Sequence, residues 1–249
     1  LFDPDVPNAW KMGIAMLPIP NELQKRNTIL RRKTRRVIKH LERGGSIEDP
    51  DVNKLVKEVD AGCADMNSWV RANARERLED SKIVGVLGGD HSVALGLMEA
   101  FGERTSYGVL HIDAHFDLRR AYEGFQYSHA SIMRNAASIG VIQRFVHVAV
   151  RDYCEEEHEV VASSNGRHVV FMDRDIQRRL FEGKWWKAIC YEIIQPLPRN
   201  VYVSFDIDGL DPSLCPSTGT PVPGGLGIEQ VFYLLSQVVE SGRKIIGFD

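Results

Sequence analysis

The sequence predicts an α/β fold in which a parallel sheet is covered by helices on both faces. Three observations lead there. From residue 82 onward come short apolar runs rich in Val and Ile; these runs lack the clean alternation of half-exposed strands; and longer amphipathic segments separate them. Strands buried on both sides read as unbroken apolar stretches, and a strand–helix–strand rhythm is what parallel pairing through crossovers requires.

Two helices precede that rhythm. Residues 25–43 (KRNTILRRKTRRVIKHLER) carry nine Lys or Arg against the single acid Glu42, while Leu30, Val37, Ile38 and Leu41 stand at helical spacing. This is an amphipathic helix with a solvated basic face. Nucleic-acid binding is the weaker reading, because the run holds no aromatic residue for bases to stack on. Glu42-Arg43-Gly44-Gly45 ends the helix, and a second one runs from about Val52 to Leu78. The apolar runs then follow at Lys82–Leu87, Tyr107–Ile112, Phe145–Val150, His168–Met172, Val201–Phe205 and Lys244–Phe248. Between them, Ser92–Phe101, Ser128–Ile139, Asp175–Ile194 and Ile228–Ser241 suit crossover helices. With no repeat and no linker, residues 1–249 read as one domain.

Composition excludes several classes. The chain has 249 residues, 43% hydrophobic and 26% charged, with a formal charge of −3. No apolar run approaches the ~18 residues of a membrane span, and the opening LFDPDVPNAW lacks the features of a signal peptide, so a cytoplasmic protein with no membrane partner is expected. Cys63, Cys154, Cys190 and Cys215 form no CxxC pair, so no zinc ribbon or thioredoxin-type site is signalled. The chain begins at Leu1 without Met and stops directly after an apolar run, and both ends read as cut.

Ligands of open parallel sheets collect beyond the carboxyl ends of the strands. Three such ends are loaded: Gly88-Gly89-Asp90-His91-Ser92, Asp113-Ala114-His115-Phe116-Asp117 and Asp206-Ile207-Asp208-Gly209. Singly, the first and third can be turns with capping side chains. In DAHFD, residues i, i+2 and i+4 share a face if the segment stays extended, which gathers two carboxylates and an imidazole. Like charges crowded at a strand end are costly unless a cation neutralises them. Four carboxylates, two imidazoles and no thiolate favour manganese above zinc, with iron, cobalt and nickel also possible. The charge of Asp113, Asp117, Asp206 and Asp208 suits two divalent ions.

With GGDHS at 88–92, HIDAHFDLR at 111–119 and SFDIDGLDPSLCPSTGTPVPGGL at 204–226, the sequence resembles the ureohydrolases, the arginase, agmatinase and formimidoylglutamase family. The resemblance implies a three-layer α/β/α fold with a mostly eight-stranded parallel sheet, here missing its first strand and C-terminal end. It also implies a trimer or hexamer. By motif, His91, Asp113, Asp117 and Asp206 hold one Mn2+, and Asp113, His115, Asp206 and Asp208 the other. The implied reaction is hydrolysis of a guanidino C–N bond by a metal-bridging hydroxide that Asp117 orients. YSHASIMRN at 127–135 resembles the agmatinase and arginase segment that carries a proton-shuttle histidine, here His129. His111, His147 and His168, within apolar runs, read as structural, and His40 and His158 as surface positions.

One departure bears on the substrate. Family members place a guanidinium-pairing Glu a few residues after the GGL turn; motif alignment puts Gln230 there, with Glu229 beside it. Agmatine is therefore expected ahead of arginine on segment likeness alone. Gln230 speaks for a formimidoylglutamate or other amidine hydrolase, and His129 against it. An inactive relative serving as an oligomer subunit is the reading from another class.

Overall fold

The computed structural model describes Asn8, Lys11 and residues 13–249; the rest of LFDPDVPNAW, on which the signal-peptide argument rests, lies outside them. Among the described residues no helix is long and apolar enough to cross a membrane. The elements are α1 (Asn21–Leu41), α2 (Pro50–Glu79), β1 (Val84–Gly85), α3 (Leu95–Gly102), β2 (Tyr107–Ile112), α4 (Ile132–Ala136), β3 (Ile142–Val148), α5 (Glu155–Ala162), β4 (His168–Phe171), α6 (Asp173–Phe181), α7 (Trp186–Ile194), β5 (Asn200–Phe205), α8 (Ile228–Glu240) and β6 (Lys244–Phe248).

Each of the six apolar runs forms a strand. They make one sheet in the order β1-β6-β5-β2-β3-β4, parallel at every pairing. The resemblance implies about eight strands; among the described residues there are six.

Alternation along the strands divides the buried side chains between two cores. Tyr107, Val109, Phe145 and Tyr202 face a cluster built with Leu97, Met98 and Phe101 of α3 and Met133 of α4. Leu110, Ile112, Val146, Val148, Val201 and Val203 face the opposite cluster, with Ile176 of α6, Ile189 and Ile193 of α7 and Leu234 of α8. Helices thus cover both faces, the three-layer arrangement.

The basic segment is α1. It buries Val37 completely and packs with Leu30, Ile38 and Leu41 against Val52, Val56 and Val59 of α2. Its charges lie on the outer side or pair with α2, as in Lys33 Nζ to Glu58 Oε2 at 2.5 Å and Arg26 with Asp65.

Three expectations need correction. The span 175–194 is two helices, because the chain turns at Gly183, whose φ of +86° is one that glycine adopts without strain. The segments at Ser92 and Ser128 open as 3-10 turns, His91–Ala94 and His129–Ser131, before continuing as α3 and α4. The helix α5 was not foreseen; Glu157 starts it by accepting from the Cys154 N–H at 3.0 Å.

Candidate metal centre

The loaded loops follow β1, β2 and β5 and meet above the sheet. Local hydrogen bonds aim their side chains. Asp90 Oδ1 accepts from the Ser92 N–H at 3.0 Å and so caps a turn that turns His91 inward. After β5, Asp206 Oδ1 accepts from the Asp208 N–H at 3.1 Å, and Asp208 Oδ1 accepts from the Ala114 N–H at 3.1 Å, tying that loop to the one after β2. Gly209 allows the approach: a Cβ there would lie 2.8 Å from the Asp113 nitrogen.

The DAHFD segment is not extended, as the sharing of one face by alternate residues had required. Asp117 sits at φ +55°, a left-handed conformation disfavoured for a residue with a Cβ. Neighbours hold it there: the Leu118 N–H donates to the buried Glu157 Oε1 at 3.0 Å, and the Asp117 carbonyl accepts from the Arg134 N–H at 3.1 Å. The bend brings Asp117 to His91, with Oδ2 3.0 Å from His91 Nδ1.

Asp113, 1% exposed, stands between two groups of donors. Its Oδ2 lies 3.2 Å from His91 Nδ1 and its Oδ1 3.3 Å from His115 Nδ1. Asp208 Oδ2 is also 3.3 Å from His115 Nδ1, and Asp206 Oδ2 is 3.6 Å from His91 Nδ1. Two sets have all their ligand atoms within 4.8 Å of one another, His91 with His111, Asp113 and Asp117, and Asp113 with His115 and Asp208. His111, which the sequence reading assigned to the core, thus joins the first set, and Asp206 is in neither.

The donors fit a cation. His91 Nε2 meets Ser204 Oγ at 2.8 Å, and Ser204 Oγ donates to Asp249 Oδ1 at 3.0 Å, so Nε2 carries the proton in the neutral ring. The buried Nδ1 then has no hydrogen-bond partner, and its lone pair faces three carboxylates. Such an atom needs a proton or a metal ion. In the protein alone, burial opposes a charge on His91, but Asp113, Asp117 and Asp249 hold its pKa well above the ordinary value. Burial opposes it at His115 too, yet Asp113 and Asp208 raise that pKa to about 10. Burial and the charge of Asp113 push Asp117 up to about 6 and also raise Asp206.

A cavity of about 130 Å³ opens over the cluster, lined by Asp113, His115, Asp117, Asp206 and Asp208 and, further out, by Tyr122, His129, Asp152 and Tyr153. His129 is half-exposed, edge-on to Tyr122 at 5.6 Å, with Nδ1 3.9 Å from Asp90 Oδ2. Glu229 and Gln230 do not line this cavity. Gln230 Oε1 accepts from the Gly227 N–H at 2.8 Å and caps α8, so its side chain is engaged in starting the helix.

Three residues after β3 escaped the sequence reading. Asp152 reaches the cavity with Oδ2 3.8 Å from His115 Nε2. Glu157 holds the Asp117 bend. Arg151 donates to the carbonyls of Ala149, Asp208, Leu210 and Val222, fastening the loop after β5 to the end of β3. The signal was present, since Arg151-Asp152 follows an apolar run directly and strand ends were the place to look.

The model of the Arginase family matches residues 28–249. The chain belongs to the arginase family. It is 38% identical over 181 residues to the N(1)-aminopropylagmatine ureohydrolase of Thermus thermophilus, covering 72% of this chain and 58% of that protein. Agmatinase of Pyrococcus horikoshii is 36% identical over 163 residues, 66% of this chain and 52% of that one. Among solved structures, the agmatine ureohydrolase of Thermoplasma volcanium superposes with a TM-score of 0.62 at 27% identity, covering 75% of this chain and 59% of that chain. The chain therefore spans between half and two thirds of the length of these relatives, and the cavity residues all fall within the family match.

Proposed function

We propose that this arginase-family chain carries the site of a metal-dependent hydrolase that releases urea from a guanidino compound, agmatine or an N-substituted agmatine ahead of arginine. The observation that carries the reading is Asp113, whose two oxygens face separate donor groups, so that it would take part in holding both ions. His91, Asp113, Asp117 and Asp206 would hold one ion, and Asp113, His115, Asp206 and Asp208 the other. Hard oxygen donors with two imidazoles favour manganese, and a pair of divalent ions held there would cancel the carboxylate charge and supply Lewis-acid activation of water at neutral pH. The family resemblance implies, in addition, a homo-oligomer, a trimer or hexamer.

The chain's own residues do the remaining work. Asp117, held by its bend against His91, orients the nucleophile. Asp152 and the rings of Tyr122 and Tyr153 give the mouth of the cavity an acidic and aromatic lining that suits a cation. His129, at the cavity and half-exposed, is placed to carry a proton to the departing amine. Gln230, engaged in the α8 cap, supplies no carboxylate to a guanidinium, so this departure still speaks for a formimidoylglutamate or other amidine hydrolase, and His129 speaks against it.

The test is urea release by the manganese-loaded protein from agmatine, N(1)-aminopropylagmatine and arginine, with formamide release from formimidoylglutamate as the contrast. Urea from the agmatine compounds is expected. Formamide alone would reassign the substrate class, and bound manganese with neither product would make the chain an inactive relative.

A further inference from the structure

Three buried histidines that the mechanism above leaves unused stand in line across the sheet. His111 Nε2 lies 2.9 Å from Asp113 Oδ2, His111 Nδ1 lies 2.9 Å from His147 Nδ1, and His147 Nε2 lies 2.9 Å from His168 Nδ1. Strand register produces the line. His111 of β2 pairs with His147 of β3, and His168 of β4 pairs with Phe145, two residues before His147 on the same face.

With the three rings neutral, one arrangement of protons satisfies all three contacts. A neutral imidazole has one donor and one acceptor nitrogen, and an ionised carboxylate only accepts. His111 must then donate from Nε2 to Asp113, which leaves Nδ1 to accept. His147 must donate from Nδ1 and accept at Nε2, and His168 must donate from Nδ1. Every N–H points toward Asp113. Burial holds the His147 pKa well below its ordinary value, and burial with Arg167 nearby lowers that of His168 to about 4, so both rings are neutral at physiological pH. Packing fixes their planes. The Phe145 ring stacks on His168 at 4.8 Å and 9° and on His147 at 6.3 Å and 13°, and Phe116 meets His147 edge-on at 5.4 Å.

We propose that His111, His147 and His168 form a one-way hydrogen-bond file that fixes and polarises the Asp113 carboxylate, which makes His147 and His168 positioning residues for the metal centre. The inference rests on the metal reading above. Aligned hydrogen bonds strengthen one another, and partners that orient a ligating carboxylate typically contribute about 10–100-fold in metal affinity or activity. A space-filling role does not require a tautomer order or reach the metal. Aliphatic residues at equivalent depth on the other face of the sheet fill space without one.

The test uses the whole protein with 15N-labelled histidine. Long-range 1H–15N correlation is expected to show His111 as the Nε2–H tautomer and His147 and His168 as Nδ1–H. Manganese affinity, measured by chelator competition, is expected to fall about 10–100-fold in His147→Phe and by a smaller factor in His168→Phe. Manganese uptake by the unaltered protein together with unchanged affinity in either folded variant overturns the file. So does an Nδ1–H tautomer at His111. If His147→Phe does not fold, the tautomers and His168→Phe still decide. Absence of manganese uptake by the unaltered protein, with the tautomers as expected, overturns the metal reading itself and the positioning role with it.

Discussion

The two faces of the sheet differ in kind. Toward α6, α7 and α8 the central strands present Leu110, Ile112, Val146, Val148, Val201 and Val203, all aliphatic. Toward α3 and α4 the same strands present Tyr107, Val109, His111, Phe145, His147, Tyr202 and Ser204, all buried and, Val109 apart, polar or aromatic. Both faces exclude water, so burial alone does not explain the contrast. A buried polar group must find partners, and here His111 and Ser204 find them in groups that touch the candidate metal centre. One face supplies cohesion, while the other supplies orientation at a cost in desolvation.

Several substitutions separate these roles. The largest effect is expected from Asp113→Ala, at the point where both donor groups meet: urea release should fall by more than the roughly hundredfold that outer partners contribute, with a lower manganese content by elemental analysis. Normal content and activity would place the bridge elsewhere. On the aliphatic face, Leu110→Ala should cost about 2–5 kcal/mol in denaturant unfolding and leave manganese affinity unchanged. A matching loss of affinity would erase the distinction between the faces.

The polar face has its own signature in pH. His168 is held at about 4 in the folded protein against an ordinary 6.5, so between those values the unfolded chain binds a proton that the folded one refuses. Its contribution is full above 6.5 and is lost as the pH falls toward 4, up to about 3 kcal/mol. Unfolding of His168→Phe should lack that part of the pH slope, and an unaltered slope would show that the ring is protonated in the fold. The smallest effect is expected at Gln230→Ala, where loss of the α8 cap should cost about 1 kcal/mol while KM stays constant. A raised KM would return Gln230 to the substrate.

The contrast also marks what was legible in the sequence. Runs such as YGVLHI identified the strands because burial on both sides leaves an unbroken apolar stretch. The same lack of alternation hides cross-strand register, and register is what turns three isolated histidines into a file. DAHFD announced its chemistry through residue types, but its bend depends on Glu157, distant in sequence and reached only through the tertiary fold. Gln230 was legible as a departure from the family pattern; its engagement with the backbone of Gly227 was not. Residue type survives translation into structure better than direction does, since direction depends on partners that the sequence does not place.

The strand order carries a kinetic consequence. Neighbours β2, β3 and β4 are also consecutive in the chain, so that half of the sheet can pair as soon as it is made. The other half depends on late arrivals: β5 docks beside β2, and Val84 at the far edge waits for Gly247 of β6. Contacts between segments so far apart in sequence form slowly, because loop closure is entropically costly before any pairing rewards it. Asp113 and His115 lie on the early half and Asp206 and Asp208 on the late half. The donor cluster can therefore be complete only once β5 has docked beside β2, so any metal ion it binds would be captured late in refolding.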